Sequence, residues 1–140
     1  MELQKPIEKP KTRGYFRRIA GREYYILKRK LQWALHSSRY ARRKDPQACP
    51  YPIIQHKSLL LRPLKDVSMH LQHNKVTNLR LAIGHLDGVV IRPGETLSVW
   101  KLVGRPSKRK GYLEGLVLHN GRITSGTGGG LCQLGNLLYW

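Results

Sequence analysis

The apolar positions of this chain form one long helical stripe near its start and a set of shorter, mixed runs in its second half. Over residues 15–43, Phe16, Ala20, Tyr24, Leu27, Leu31, Ala34 and Leu35 recur on a single helical face. Arg17, Arg18, Arg22, Lys28 and Arg29 lie largely off that face, with Tyr25 and Trp33 on its flanks. The pattern predicts a basic amphipathic helix, and a stripe of this width suits a helix packed on a domain. The same pattern also suits a helix lying on nucleic acid or on an anionic membrane surface. Residues 1–14 hold Pro6 and Pro10 among lysines and read as a disordered lead-in. Residues 44–52, KDPQACPYP, contain three prolines, cannot continue a helix, and read as a linker or an extended crossing.

From residue 53 the periods are shorter. Residues 53–64 hold small apolar clusters around Pro63 and predict one strand or turn. A second helix is expected from Lys75, capped by Asn74, with Val76, Leu79, Ala82, Ile83 and Leu86 inward. Asp87-Gly88 and Arg92-Pro93-Gly94 are turn signals around a short β-rich run at Val89–Ile91. Residues 96–100 alternate, Leu97 and Val99 against Thr96, Ser98 and Trp100, which predicts a strand. Residues 103–111, VGRPSKRKG, read as a basic loop. Residues 112–119 read as a strand that Asn120-Gly121 turns back into residues 122–125, a hairpin signal. The returning strand enters Gly128-Gly129-Gly130, and Leu131, Leu134, Leu137 and Leu138 then resume helical spacing. The fold class is therefore α+β: a basic amphipathic helix, then a small unit of helix and β-hairpin ending in a glycine loop and a helix. The domains divide as 1–14, 15–43, 44–52 and 53–140, the last expected to be incomplete at its C-terminal end.

Charge sharpens this picture. The formal net charge is +18, and residues 1–44 alone carry 14 Lys and Arg against 3 Asp and Glu. Such a field attracts polyanions: nucleic acid, anionic lipid headgroups or acidic cell-wall polymers. The nucleic-acid case is the weaker, because no helix-turn-helix glycine turn or aromatic strand pair accompanies the charge. No signal peptide and no apolar run of membrane-spanning length is visible, so the expected location is the cytoplasm, at most peripheral to the inner face of the membrane. Cys49 and Cys132 form neither a CxxC pair nor a zinc-finger pattern. His70 and His73 are three apart but lack a third ligand. No Walker lysine or GxGxxG is present. No metal or cofactor is called for.

The chemistry concentrates at Gly126–Trp140, GTGGGLCQLGNLLYW. The glycines let the backbone take positive φ and let another group approach closely. Cys132 then sits in the first helical turn, where free N–H groups and the helix dipole favour a thiolate, the reactive form of cysteine. Two structural alternatives stand beside this. In one the glycines serve only close packing, with Cys132 as a small apolar residue; in the other the loop simply binds an anion.

The ordered residues Arg92-Pro93-Gly94-Glu95-Thr96-Leu97-Ser98, Val103-Gly104, Lys110-Gly111-Tyr112, Asn120-Gly121 and Gly128-Gly129-Gly130-Leu131-Cys132-Gln133-Leu134 resemble the VanW family over residues 74–140. The basic N-terminal helix resembles that of the short, cytoplasmic members. The resemblance implies an association with glycopeptide resistance and the bacterial envelope, and members that continue past the cysteine helix into further strands carrying histidines. Whether the chain is an enzyme stays open. In the catalytic reading, Cys132 is the nucleophile of an acyl transfer or hydrolysis on cell-wall peptides. Gln133 assists, and the N–H groups of Gly130 to Cys132 form an oxyanion hole. In the binding reading, Gly128, Gly129, Gly130, Arg105, Arg109 and Arg122 hold an anionic cell-wall precursor. A third reading binds nucleic acid or an anionic membrane surface through residues 1–44.

Overall fold

The computed structural model describes residues 14–47, 49–61, 68–119 and 122–139. Most of the expected lead-in, the Pro63 cluster and the Asn120-Gly121 turn lie outside the described residues. The structure is α+β, with four α-helices and a two-stranded antiparallel sheet among the described residues. It divides into two compact units, residues 1–37 and residues 38–140.

The first unit is dominated by helix α1, Tyr15–Leu35. The helix ends earlier than the expected Arg43, where the His36 N–H closes on the Gln32 carbonyl at 3.0 Å. A 3₁₀ turn follows at Ser37–Arg39. No residue of α1 is buried.

In the second unit, residues 39–45 run extended, which is why the helical periodicity does not carry on. Tyr40 bridges Thr96 and Lys44 bridges Val89. Ala41 donates to Thr96 O at 3.1 Å and accepts burial in return, at 1% exposure. The Asp45 N–H reaches Gly88 O at 2.8 Å, and Val90 reaches Arg43 O at 2.9 Å. Lys44 and Asp45, at the start of the proline-rich stretch, are thus tied to Val89 and Gly88.

Helix α2, Met69–Leu86, begins six residues before the expected Lys75. Asn74 does not cap it; its side chain lies within the helix and donates to Glu114 O at 2.9 Å. Leu79 and Ala82 are buried as expected, whereas Ile83 is 45% exposed. The remaining inward positions are polar: Gln72, Lys75 and Asn78, at 2%, 9% and 0% exposure. One face of α2 therefore changes character along its length, polar in its first half and apolar in its second.

Helix α3, Val99–Val103, replaces the strand expected over 96–100. Thr96 is held by residues 39–41, and the chain then turns, with Lys101 and Leu102 both donating to Ser98 O. Val99 and Val103, four apart, both reach the core. A 3₁₀ turn at Lys108–Lys110 follows. Strands β1, Glu114–His119, and β2, Arg122–Thr127, pair antiparallel from Glu114↔Thr127 to His119↔Arg122. That register brackets the two residues read as the hairpin turn. Helix α4, Leu131–Tyr139, closes the unit. The core is Leu79, Ala82, Val103, Tyr112 and Leu134, with Leu60, Leu81, Leu86, Val99 and Leu131 packed around it.

Candidate functional site

The glycine run is a tight turn whose shape is set by what touches it. A Cβ on Gly129 would stand 2.1 Å from the carbonyl carbon of Gly115, at the start of β1. One on Gly130 would stand 2.2 Å from Cγ of Lys75, and one on Gly128 2.5 Å from Cβ of Pro106. Gly128 and Gly130 also have φ of 77° and 93°, conformations that side chains disfavour. All three glycines are thus accounted for by close approach. The Gly128 N–H is spent on Leu113 O and that of Gly129 on Gly126 O, at 2.9 and 3.1 Å. These two N–H groups point into the fold rather than toward a ligand.

A buried amide locks the turn in place. Asn78 of α2 donates to Gly129 O and to Leu113 O, both at 3.0 Å, and accepts from the Leu113 N–H at 2.8 Å. The turn therefore delivers α4 at a fixed height against α2. Gln133 closes the first intrahelical contact, its N–H reaching Gly130 O at 3.1 Å. Leu131 and Cys132 precede that bond, so their N–H groups belong to the open end of the helix.

Cys132 is exposed and free, as is Cys49. Cys132 lines a cavity of about 410 Å³ in the second unit. One wall is the polar half of α2, Gln72 and Lys75; another is α4, Cys132, Gln133 and Asn136; the third is apolar, Leu116, Leu118 and Ile123 of the hairpin. Ser58 and Leu59 complete the rim. Gln133 Nε2 donates to Ser58 Oγ at 2.9 Å and to Leu59 O at 3.2 Å. Lys75 Nζ donates to Leu60 O. Two successive main-chain carbonyls of an extended segment are thus read by side chains of this site. Gln72 Oε1 is buried and has no hydrogen-bond partner among the described residues. An amide oxygen in that state costs the fold a hydrogen bond.

The structure brings together Cys132, Gln133 and Gly130 of the expected site residues. Gly128 and Gly129 lie behind the cavity rather than in its lining. Arg105 and Arg109 are exposed and do not line it either. Arg122 stands at the turn end of the hairpin, opposite His119. Of the set proposed to grip an anion, Gly130 is the member found among the described lining residues. No histidine is among the lining residues that the structure describes. Nor do the described residues contain a cluster of three metal-binding side chains. Gln72, Lys75 and Asn78 were missed by the sequence reading. Their spacing of three along α2 was the available signal, hidden because only apolar positions were counted as inward.

The class defined here is a small α+β domain with a cysteine at the mouth of a glycine-turn helix, facing an amide-lined cavity. Residues 74–140 match the family model described as VanW like protein, and this part of the chain belongs to that family. The chain is 41% identical over 101 residues to the protein named Vancomycin B-type resistance protein VanW of Enterococcus faecalis, a match covering 72% of this chain and 37% of that protein. It is 34% identical over 62 residues to the uncharacterized protein YoaR of Bacillus subtilis, covering 44% of this chain and 20% of that one. The matches therefore span well under half the length of these curated relatives. No solved structure matches the chain.

Proposed function

We propose that this chain serves glycopeptide resistance at the bacterial cell envelope, and that its cavity binds a cell-wall peptide whose acyl group Cys132 accepts. The link to resistance extends to this chain what the enterococcal relative is named for. The observation that carries the chemistry is the exposed thiol of Cys132 in the lining of a cavity whose other polar side chains are Ser58, Gln72, Lys75, Gln133 and Asn136. A peptide supplies a carbonyl carbon for the sulfur and main-chain amides for the polar side chains of that lining. Gln133 Nε2 and Lys75 Nζ, which already read main-chain carbonyls, favour the same ligand class.

In the step proposed, Cys132 Sγ attacks the peptide carbonyl carbon and the thiol proton passes to water in the open cavity. The oxyanion faces the N–H groups of Leu131 and Cys132 at the start of α4. The C–N bond then breaks, a thioester forms, and the departing amine takes a proton from water in the open cavity. A second amine or water releases the acyl group. Two free cysteines suit a reducing compartment, so the reading places this chemistry on the cytoplasmic side of the envelope.

The test is acyl capture. The chain is incubated with a short thioester of cell-wall peptide sequence, and the adducts are mapped by mass spectrometry. Cys132 is expected to acylate much faster than the exposed Cys49, and Cys132→Ser to abolish the fast phase. Equal rates at both cysteines, or none at Cys132, would overturn the reading.

A further inference from the structure

We infer that α1 is a membrane-surface helix that lies in the headgroup region of a bilayer rich in anionic phospholipid. This inference is independent of Cys132 and rests on the first unit alone. The apolar stripe of α1 is exposed along its length: Phe16 85%, Tyr24 61%, Leu27 68%, Leu31 58% and Leu35 71%. These residues share one face over 21 residues, about 30 Å of helix at the usual rise. Isolated apolar side chains on a surface need no explanation, but a continuous line of this length does.

The chemistry around the stripe chooses the occupant. Arg17, Arg18, Arg22, Lys28 and Arg29 lie largely off it, and the sole acid of the helix, Glu23, is held by Arg22 at 2.9 Å. An apolar face bordered by cations is the arrangement of a helix lying at an anionic lipid interface, its long basic side chains reaching to phosphate. Tyr24 adds an aromatic ring with a polar tip, a residue type that favours the headgroup level. The helix is too polar to cross the bilayer: no described helix is long and apolar enough to do so. A second copy of α1 would bring two strongly cationic helices together. A nucleic acid would engage the arginines and leave the stripe in water.

The experiment is flotation of the whole chain with vesicles of phosphatidylcholine, and with vesicles in which about a third of the lipid is phosphatidylglycerol. The wild-type chain is expected to float with the anionic vesicles and, far less, with the neutral ones. A Leu27→Ser/Leu31→Ser variant keeps every charge and touches no buried residue, so the folded state is expected to survive, as circular dichroism would check. It should bind anionic vesicles at least about tenfold more weakly. No binding by the wild type overturns the inference. So does equal binding by the double variant, which would reduce the effect to net charge. A concentration-dependent dimer that anionic vesicles fail to dissociate assigns the stripe to a second copy and overturns it too. Duplex DNA that displaces the vesicles while binding the double variant as tightly as wild type overturns it in favour of nucleic acid.

Discussion

Asn78 and Gly129 are joined through a single hydrogen bond of 3.0 Å, from the buried amide of α2 to the central carbonyl of the glycine turn. The same side chain holds both polar groups of Leu113. One residue thus ties helix, strand entry and turn together at 0% exposure. Asn78→Ala would leave the Leu113 N–H and the Gly129 carbonyl without their partner in the interior, while Leu113 O keeps the Gly128 N–H. The expected cost is about 3 kcal/mol, read as a lower urea midpoint with an unchanged slope. Asn78→Asp is expected to be destabilising as well, because it sets a carboxylate against two carbonyl oxygens.

The glycines divide into those the fold needs and others, Gly135 among them, with open space around a new Cβ. Gly129→Ala drives a methyl group into the backbone of Gly115, and Gly130→Ala drives one into the stem of Lys75 at a φ of 93°. Both are expected to prevent a cooperative thermal transition. Gly135 sits within α4 with nothing within 4 Å of a new Cβ. Gly135→Ala is expected to raise stability by about 0.5–1 kcal/mol. A thermal melt of the three variants side by side checks the contrast.

Gln72 separates binding from stability. Its oxygen is buried without a partner, so Gln72→Leu removes a polar group that folding leaves unsatisfied. The urea midpoint is expected to hold or rise, while acylation of Cys132 by the peptide thioester slows. A variant that loses stability and keeps its acylation rate would show that Gln72 is a packing residue.

Tyr112 makes the fold sensitive to alkali. Burial pushes its phenol above the ordinary tyrosine value, because the charged form is disfavoured in the core. The contribution is fully present below the unfolded-state value of about 10. It is lost as pH rises through the higher folded value. Stability is therefore expected to fall above about pH 10. The hydroxyl has no partner among the described residues, so Tyr112→Phe is expected to leave neutral-pH stability unchanged or higher and to flatten the alkaline decline. Urea midpoints of both proteins across that range decide it.

The elements legible in the sequence are those whose signal is local. Asn120-Gly121 between two apolar runs announced the hairpin, and the observed register runs to His119↔Arg122 on either side of it. The glycine run before Leu131 announced the start of α4. What escaped depends on distant partners. Residues 39–45 continue a helical pattern by composition, yet pair with residues 88–96. Residues 96–100 alternate like a strand, yet Thr96 is anchored elsewhere and Val99 and Val103 turn to the core. At the site, Cys132 and Gln133 were readable from the glycine context. Gln72, Lys75 and Asn78 were not, because a polar residue on an inward face is explained only by the carbonyls and the cavity it meets.

The clamp on the glycine turn also sets the angular phase of α4. With Gly129 pinned between Asn78 and Gly115, the first helical residue has one starting azimuth, and each later side chain points where the count from Leu131 sends it. A helix advances about 100° per residue. One residue inserted between Gly130 and Cys132 would leave composition, charge and helix length nearly intact, yet swing the thiol a quarter-turn or more off the cavity. It would also rotate Leu134 out of the core. The turn works as an index mark as well as a hinge, coupling the direction of the sulfur to the seating of the core leucine.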